Sequence, residues 1–359
     1  MMKENKMAKE DILKKNNVYD DIKKAILHKK DIFSDILGQH AVKMQLKSGL
    51  ISGRNIIIVG PPGIGKTTIV KNLAGCLPEI EVNSCGFNCS PENPVCPFCK
   101  ENHKDVKRKS ISGHERFVRI QGSPDLTVED LIGDIDPIKA MKYGALSVEA
   151  FTPGKIFRAN NGILFFDEIN RCNEKLQNAM LQLLQEHTIT IGSYSFDFEA
   201  DFLFIATMNP KDINTERLSD VFLDRFDLIY MDYPESLDIE KEIVITKSGI
   251  GTNIDFPGDL LEKTLKFVRA LRNNRDLEKV PSVRASIGLY ERSIANAILR
   301  NSKKVEMKDI LDSMVSVLAH RITLKPSLKH ETTNEDFIEK SFDAFAQAND
   351  MKLDDGDSP

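Results

Sequence analysis

Gly60-Pro61-Pro62-Gly63-Ile64-Gly65-Lys66-Thr67 fits the pattern G-x-x-x-x-G-K-S/T and stands between an apolar run, Ile56–Val59, and a helical stretch from Lys66 to Leu77. Strand, glycine-rich turn and helix in that order commit the chain to a nucleotide-binding α/β fold. The glycines let backbone N–H groups curl around a β-phosphate, and the helix start adds its partial positive charge. Lys66 would reach the β- and γ-phosphates. Thr67 is the candidate Mg²⁺ ligand through its hydroxyl, and Thr68 is taken with the loop.

Around this loop, β-rich runs at Asn55–Val59, Arg116–Ile120, Ile163–Phe166 and Phe202–Thr207 alternate with helical segments from about Asp31 to Tyr233. That alternation predicts a mostly parallel sheet with helices on both faces. After Pro234 the strand signals stop. Four helical stretches follow, near 236–248, 258–273, 282–300 and 305–322, with apolar residues at i, i+3 and i+4. The expected organisation is a flexible basic arm or frayed helix over 1–30, an α/β domain over 31–235 with an insertion near 83–115, and an all-helical lid domain over 236–330. A tail over 331–359 carries nine acidic residues against two Lys, a composition expected to bury little and stay disordered.

Ile163-Leu164-Phe165-Phe166-Asp167-Glu168 reads as a buried strand ending in two adjacent carboxylates. Beside a phosphate loop, Asp167 falls next to the Mg²⁺ and Glu168 is free to polarise water, an arrangement suited to hydrolysis. The helix after it starts at Asn173 and lines up Leu176, Met180, Leu183 and Leu184 as core. Thr188–Ile191 and Tyr194–Phe198 flank Gly192-Ser193 as a hairpin, and the strand Phe202–Thr207 then delivers Met208-Asn209-Pro210. Asn209 could orient the attacking water or serve as a turn residue before Pro210.

Together these residues resemble the AAA+ ATPases, in the branch that holds the magnesium chelatase I subunit and the MoxR-type ATPases. The resemblance covers about Ile32 to Ile322. It implies an AAA+ core with a C-terminal helical lid, Mg²⁺-dependent ATP hydrolysis, and assembly into a homo-oligomeric ring, a hexamer. Asp35-Ile36-Leu37-Gly38-Gln39 is similar to the I-x-G-Q box near the adenine, which implicates Gln39. Asn209 falls at sensor 1. Leu223-Asp224-Arg225-Phe226-Asp227 resembles the L-D-R-F segment, so the resemblance makes Arg225 the finger reaching a neighbouring subunit's γ-phosphate, with Arg217 as its rival. Pro281-Ser282-Val283-Arg284-Ala285-Ser286 resembles the S-P-R-A segment and makes Arg284 sensor 2, with Val283 where the family has Pro.

Gly133-Asp134-Ile135-Asp136, Phe151-Thr152-Pro153-Gly154 and Ala159-Asn160-Asn161-Gly162 follow the chelatase I subunit, and imply a hairpin insertion directed at a pore or a partner. Phe87-Asn88-Cys89-Ser90-Pro91-Glu92-Asn93-Pro94 with Cys96 and Cys99 looks like that subunit's cysteine-bearing insertion. Asp167-Glu168-Ile169-Asn170-Arg171 has the MoxR spelling, and Tyr233-Pro234 enters the helical domain with little linker, as in MoxR. Two functions therefore stay open: a motor driving metal insertion with a larger chelatase-type subunit, and a MoxR-like remodelling ATPase with an integrin-like-domain partner. A DNA-remodelling motor is a third class.

Cys85, Cys89, Cys96 and Cys99 place four thiols within fifteen residues, a spacing that can close a tetrahedral Zn²⁺ site. His103 could replace one ligand, and a redox pair at Cys96 and Cys99 is the competing reading. Cys76 and Cys172 are expected to be buried small hydrophobes. Lys plus Arg is 49 against 54 acidic residues, net −5, so nucleic acid is not the expected partner. No apolar run approaches the roughly 18 residues of a membrane span and the Lys-rich start lacks a signal peptide's apolar stretch, which leads to a cytoplasmic expectation.

Overall fold

The computed structural model describes residues 17–29, 31–101, 106–144, 150–186, 188–191, 194–197, 201–210, 216–250 and 253–349. Its strands run in chain order as β1 (Asn55–Val59), β2 (Ile80–Asn83), β3 (Arg108–Ile111), β4 (Phe117–Gln121), β5 (Gly133–Ile135) and β6 (Phe151–Pro153). They continue with β7 (Gly162–Asp167), β8 (Thr188–Ile191), β9 (Tyr194–Asp197), β10 (Phe202–Met208) and β11 (Phe226–Tyr230). They end with β12 (Leu277–Lys279) and β13 (Thr323–Leu324), a short antiparallel pair that corrects the expectation of an all-helical segment over 236–330. Five of these form one sheet in the order β11-β1-β10-β7-β4, every neighbouring pair parallel. All six residues of β7 are buried, and Ile56–Val59 of β1 likewise. Strands this apolar on both faces can only be central in a sheet covered from both sides.

The order has one consequence for chemistry. β10 lies between β1 and β7, so the phosphate loop after β1 and the carboxylates after β7 are separated by the end of β10. Thr207 and Asn209 lie there.

β11 has no counterpart among the four strand runs read from the sequence. Phe226–Tyr230 is a short edge strand paired only with β1, and Asp227 interrupts its apolar pattern. β8 and β9 pair antiparallel with Ile191 opposite Tyr194; the turn Gly192-Ser193 lies outside the described residues. β5 and β6 pair antiparallel, joining Gly133–Ile135 to Phe151–Pro153. The helix Pro137–Tyr143 that follows β5 buries none of its residues.

Of the segment expected as a flexible arm or frayed helix, Val18–His28 is a helix that packs, capped by Asn17 and burying Val18, Ile22 and Ala25. Its first backbone amide donates to Asp201, and Tyr19 Oη donates to the carbonyl of Phe202. Asp21 accepts from Arg116 at 2.7 Å, and that guanidinium is 1% exposed. Lys23 and Lys24 lie on this helix beside Ile22 and Ala25, so composition averaged over 1–30 concealed its apolar face. Residues 1–16 lie outside the described residues.

The chain divides into two compact units: one holds most of the residues up to Met231, and the other holds Leu37–Gln39, Pro61–Ile64 and everything from Asp232 onward. In the second, helices Leu237–Lys247, Gly258–Arg272, Val283–Leu299 and Met307–Leu318 match the four helical stretches expected. Phe267, Leu271, Leu289, Met314 and Leu318 form its core. Glu240, fully buried, accepts from Arg272 at 2.6 and 2.7 Å, from Arg269 at 3.1 Å and from Ser286 at 2.7 Å. Burial works against its charge, but these donors outweigh it and hold the carboxyl below the usual range.

The acidic tail is corrected by the structure. Asn334–Ala348 is a helix capped by Thr333, and Ile338, Phe342 and Ala346 bury against Phe267 and its neighbours. Those three residues recur every fourth position, while Glu335, Asp336, Glu339 and Asp343 stay exposed. Composition averaged over the segment hides an amphipathic stripe.

Candidate nucleotide site

β1 ends at Val59, and the chain turns through the loop into the helix Lys66–Ala74. Gly65 caps that helix at φ 101°, a left-handed conformation in which a side chain would be strained. Lys66 is buried and its Nζ donates to the carbonyl of Gly60 at 2.6 Å. Within the second compact unit, a Cβ built on Gly63 would lie 3.2 Å from Cγ of Arg284, which is exposed at the first turn of its helix. Gln39 is buried at φ 55° and spends its amide on the carbonyl of Asp232.

Asp167 is the hub of the site. Thr67 Oγ1 lies 3.2 Å from its Oδ2, and Thr207 Oγ1 donates to its Oδ1 at 2.6 Å. A hydroxyl and a carboxylate oxygen facing each other at the head of the loop are the hard donors that suit Mg²⁺. The same Oδ2 accepts from Arg119 Nη2 at 2.6 Å. Arg119 comes from β4, the neighbour of β7, and half of its side chain is exposed.

Glu168 adopts φ 58°, an uncommon left-handed conformation for a side-chain-bearing residue. Its backbone amide donates to Thr207 Oγ1 at 2.9 Å. Its carboxylate accepts from Gln121 Nε2 at 2.9 Å and pairs with Arg171 at 3.2 Å. The backbone of β4 comes so close here that a Cβ on Gly122 would lie 2.1 Å from the carbonyl oxygen of Glu168, which explains glycine at that position.

Thr207, Gln121 and Arg119 were not among the residues singled out from the sequence. The available signal was period two: Arg119 and Gln121 share one face of β4, and that face lies alongside Asp167. Asn209 stands just past β10, and its carbonyl accepts from Asn170 at 3.0 Å. Arg225 pairs with Asp224 at 2.9 Å, and Arg217 with Asp220 at 3.7 Å. Arg225 is about one-third exposed and Arg217 about nine-tenths, so each is positioned at the surface.

The four clustered thiols also converge. The Sγ atoms of Cys85, Cys89, Cys96 and Cys99 lie within 4.8 Å of one another, with the last three buried. Cys89 and Cys96 donate toward Cys85 and hold its thiol far below the usual range, while sharing with Cys85 pushes both of them up. His103 lies outside the described residues. Cys172 is buried as expected, and burial pushes its thiol up to about 11. Cys76 is only half-buried, which corrects the expectation of a core residue.

Three family descriptions match successive stretches of the chain: magnesium chelatase, subunit ChlI, over residues 32–109; ATPase family associated with various cellular activities over 104–228; and AAA lid domain over 270–341. A magnesium-chelatase subunit ChlI homolog of Methanocaldococcus jannaschii is 27% identical, with 88% of this chain and 92% of that one covered. The chloroplastic magnesium-chelatase subunit ChlI-2 of Arabidopsis thaliana is 27% identical over 82% of this chain and 76% of its own length. Among solved structures, the complex between subunits BchI and BchD of magnesium chelatase is 22% identical, covers 85% of this chain and 98% of that chain, and has a TM-score of 0.45. The fold is that of an AAA+ P-loop protein with a C-terminal AAA lid, and the chain is similar to the magnesium chelatase I subunit along most of its length.

Proposed function

We propose that this AAA+ chain, similar along most of its length to the magnesium chelatase I subunit, hydrolyses ATP with Mg²⁺ and uses the energy to drive metal insertion with a larger chelatase-type subunit. One observation carries the hydrolytic part: Lys66, Thr67, Asp167, Glu168 and Thr207 stand together at the ends of β1, β7 and β10. Loop N–H groups and Lys66 would hold the phosphates, and Thr67 with Asp167 would hold Mg²⁺, which neutralises phosphate charge when bound. Glu168 would take the proton of the attacking water. Gln121 and Arg171 now hold its carboxylate, so it must leave at least one of them to act.

The ring reading rests on Arg225 and Arg217, surface cations next to the α/β core that suit a finger acting on a neighbour. Partner engagement is supported by the helix Pro137–Tyr143, where Ile138 is 80% and Met141 92% exposed. Ile138 and Met141, three residues apart, share one face of this short helix, and an apolar patch exposed in this way suits a contact with another chain.

A MoxR-like remodelling ATPase acting on proteins through an integrin-like-domain partner is the second reading. The segment with the MoxR spelling is used structurally: Asn170 donates to the carbonyl of Asn209, and Arg171 pairs with Glu168. Phosphate release by the purified chain, measured with and without Mg²⁺, tests the shared motor. Adding the large chelatase subunits with a porphyrin, or a protein with an integrin-like domain, separates the two readings. ATP-dependent metallation of the porphyrin supports the first, and stimulation of phosphate release by the integrin-like protein alone supports the second. No Mg²⁺-dependent phosphate release in any assembly state would remove both.

A further inference from the structure

The sulfurs of Cys85, Cys89, Cys96 and Cys99, from two separate turns of chain, all lie within 4.8 Å of one another. We propose that these thiols form the complete ligand set of one Zn²⁺ ion, and that the closed knuckle braces the entrance to β7, the strand that ends in Asp167.

Geometry supports the ligand set. Tetrahedral Zn²⁺ with bonds of about 2.3 Å to sulfur sets its ligands about 3.8 Å apart. The four Sγ atoms already lie within 4.8 Å of one another, so the widest pair needs to close by no more than about 1 Å. Gly86 at φ 81° and Asn88 at φ 43° reverse the chain between Cys85 and Cys89, bringing both sulfurs to one side. The backbone amide of Cys96 donates to Cys89 Sγ at 3.3 Å, and that of Cys99 to Cys96 Sγ at 3.3 Å. Amides aimed at sulfur favour thiolate, the form that binds metal.

Packing supports the need for an ion. Among the described residues from Ser84 to Glu101, the buried ones are Cys89, Cys96, Cys99 and Asn88, with no aliphatic or aromatic side chain among them. Phe87, Val95 and Val106 flank the thiols but are only partly buried. A segment with so little apolar core needs a staple to hold a single conformation, and a structural metal supplies one.

The brace follows from what the knuckle holds. Asn88 donates to the carbonyl of Arg158 at 2.7 Å, and Asn161 donates to the carbonyl of Asn88 at 2.8 Å. Asn160 donates to the carbonyls of Phe87 and Asn88 at 3.1 and 3.3 Å. The ring of Phe87 stands edge-on to that of Phe157 at 4.8 Å. Asn160 and Asn161 immediately precede β7. The turn between Cys85 and Cys89 therefore serves as the template on which the start of β7 is built.

The full chain purified under reducing conditions is expected to carry about one Zn²⁺, by elemental analysis, released on titration with a thiol-directed mercurial. Replacement by Co²⁺ should give the visible bands of a tetrahedral four-thiolate ion. Cys96→Ser with Cys99→Ser should lose the metal, whereas Cys76→Ser and Cys172→Ser should retain it. Stripping the metal from the wild-type chain should raise amide exchange in residues 156–164, a readout that does not depend on the serine variants folding or on ATP turnover. A metal-free chain that takes up no Co²⁺ would overturn the site, as would native disulfides among the four thiols. Bound Zn²⁺ whose removal leaves exchange at 156–164 unchanged would overturn the brace.

Discussion

Arg119 Nη2 lies 2.6 Å from Asp167 Oδ2, the same oxygen that faces the hydroxyl of Thr67. A guanidinium and a divalent cation cannot share that oxygen at close range, because both seek the same lone pairs. If Thr67 and Asp167 hold Mg²⁺ as proposed, Arg119 is a counter-ion that the metal would displace. It is anchored on β4 and carries a half-exposed head, so it can swing away without disturbing the sheet.

Arg119→Ala is accordingly expected to lower the Mg²⁺ concentration needed for half-maximal ATP turnover by several-fold. A Mg²⁺ titration of phosphate release checks this. An unchanged midpoint would mean that the ion pair does not compete with the metal.

Glu168→Gln keeps the shape of the side chain but removes the carboxylate proposed to polarise water. ATP retention by the variant should match the wild type, while turnover falls by about 10²-fold or more. Filter-bound nucleotide and phosphate release measured on one preparation separate the two effects.

Gln121→Ala releases one of the two partners of the Glu168 carboxylate and leaves Arg171 in place. Lost hydrolysis with intact ATP binding would make Gln121 a positioning residue that Glu168 needs. Raised basal hydrolysis would instead show that Gln121 restrains it. The geometry favours restraint, because the bond occupies a carboxylate oxygen that would have to face water in the proposed hydrolysis.

Arg225→Ala subunits should be inactive alone and regain activity when mixed with Lys66→Ala subunits. If sites are shared across an interface, one chain keeps an intact phosphate loop and takes its finger from the neighbour. A finger can be worth ~10³ or more in rate, so even a minority of complete sites would stand clear of background. Turnover should peak at intermediate mixing ratios. Mixtures that co-assemble but stay dead would move the finger to Arg217 or remove the shared site.

Glu240 gives the helical unit an acid-sensitive element. Its folded carboxyl lies below the unfolded value of about 4.5, so its contribution to stability is present above that pH and is lost as pH falls through the folded value. Glu240→Gln leaves Arg272 and Arg269 without their buried counter-charge and should cost about 3–5 kcal/mol at neutral pH. Denaturant melts at several pH values should show a smaller loss on acidification for the variant than for the wild type.

Features carried by neighbouring residues were legible in the chain itself. The phosphate loop needs only a strand, a glycine turn and a helix in succession, and the acidic pair needs only a buried strand before it, so Gly60–Thr67 and Asp167–Glu168 could be read from spacing. The four lid helices followed from apolar residues at helical intervals. Local composition misled where one face of a helix was outvoted by the other, as at Val18–His28 and Asn334–Ala348.

Strand order was decided only by the tertiary structure, and the surroundings of the two carboxylates depend on it. Arg119 is 48 residues from Asp167 and Thr207 is 40 residues away, yet all three meet because β4 and β10 flank β7 in parallel register. A parallel neighbour is chosen by which faces bury best over a whole sheet, a sum over many distant side chains that no short window of sequence contains. The loop and the acidic pair are therefore properties of the sequence, whereas the ion pair, the amide hold on Glu168 and the convergence of the four thiols exist only once the sheet and its insertion have folded.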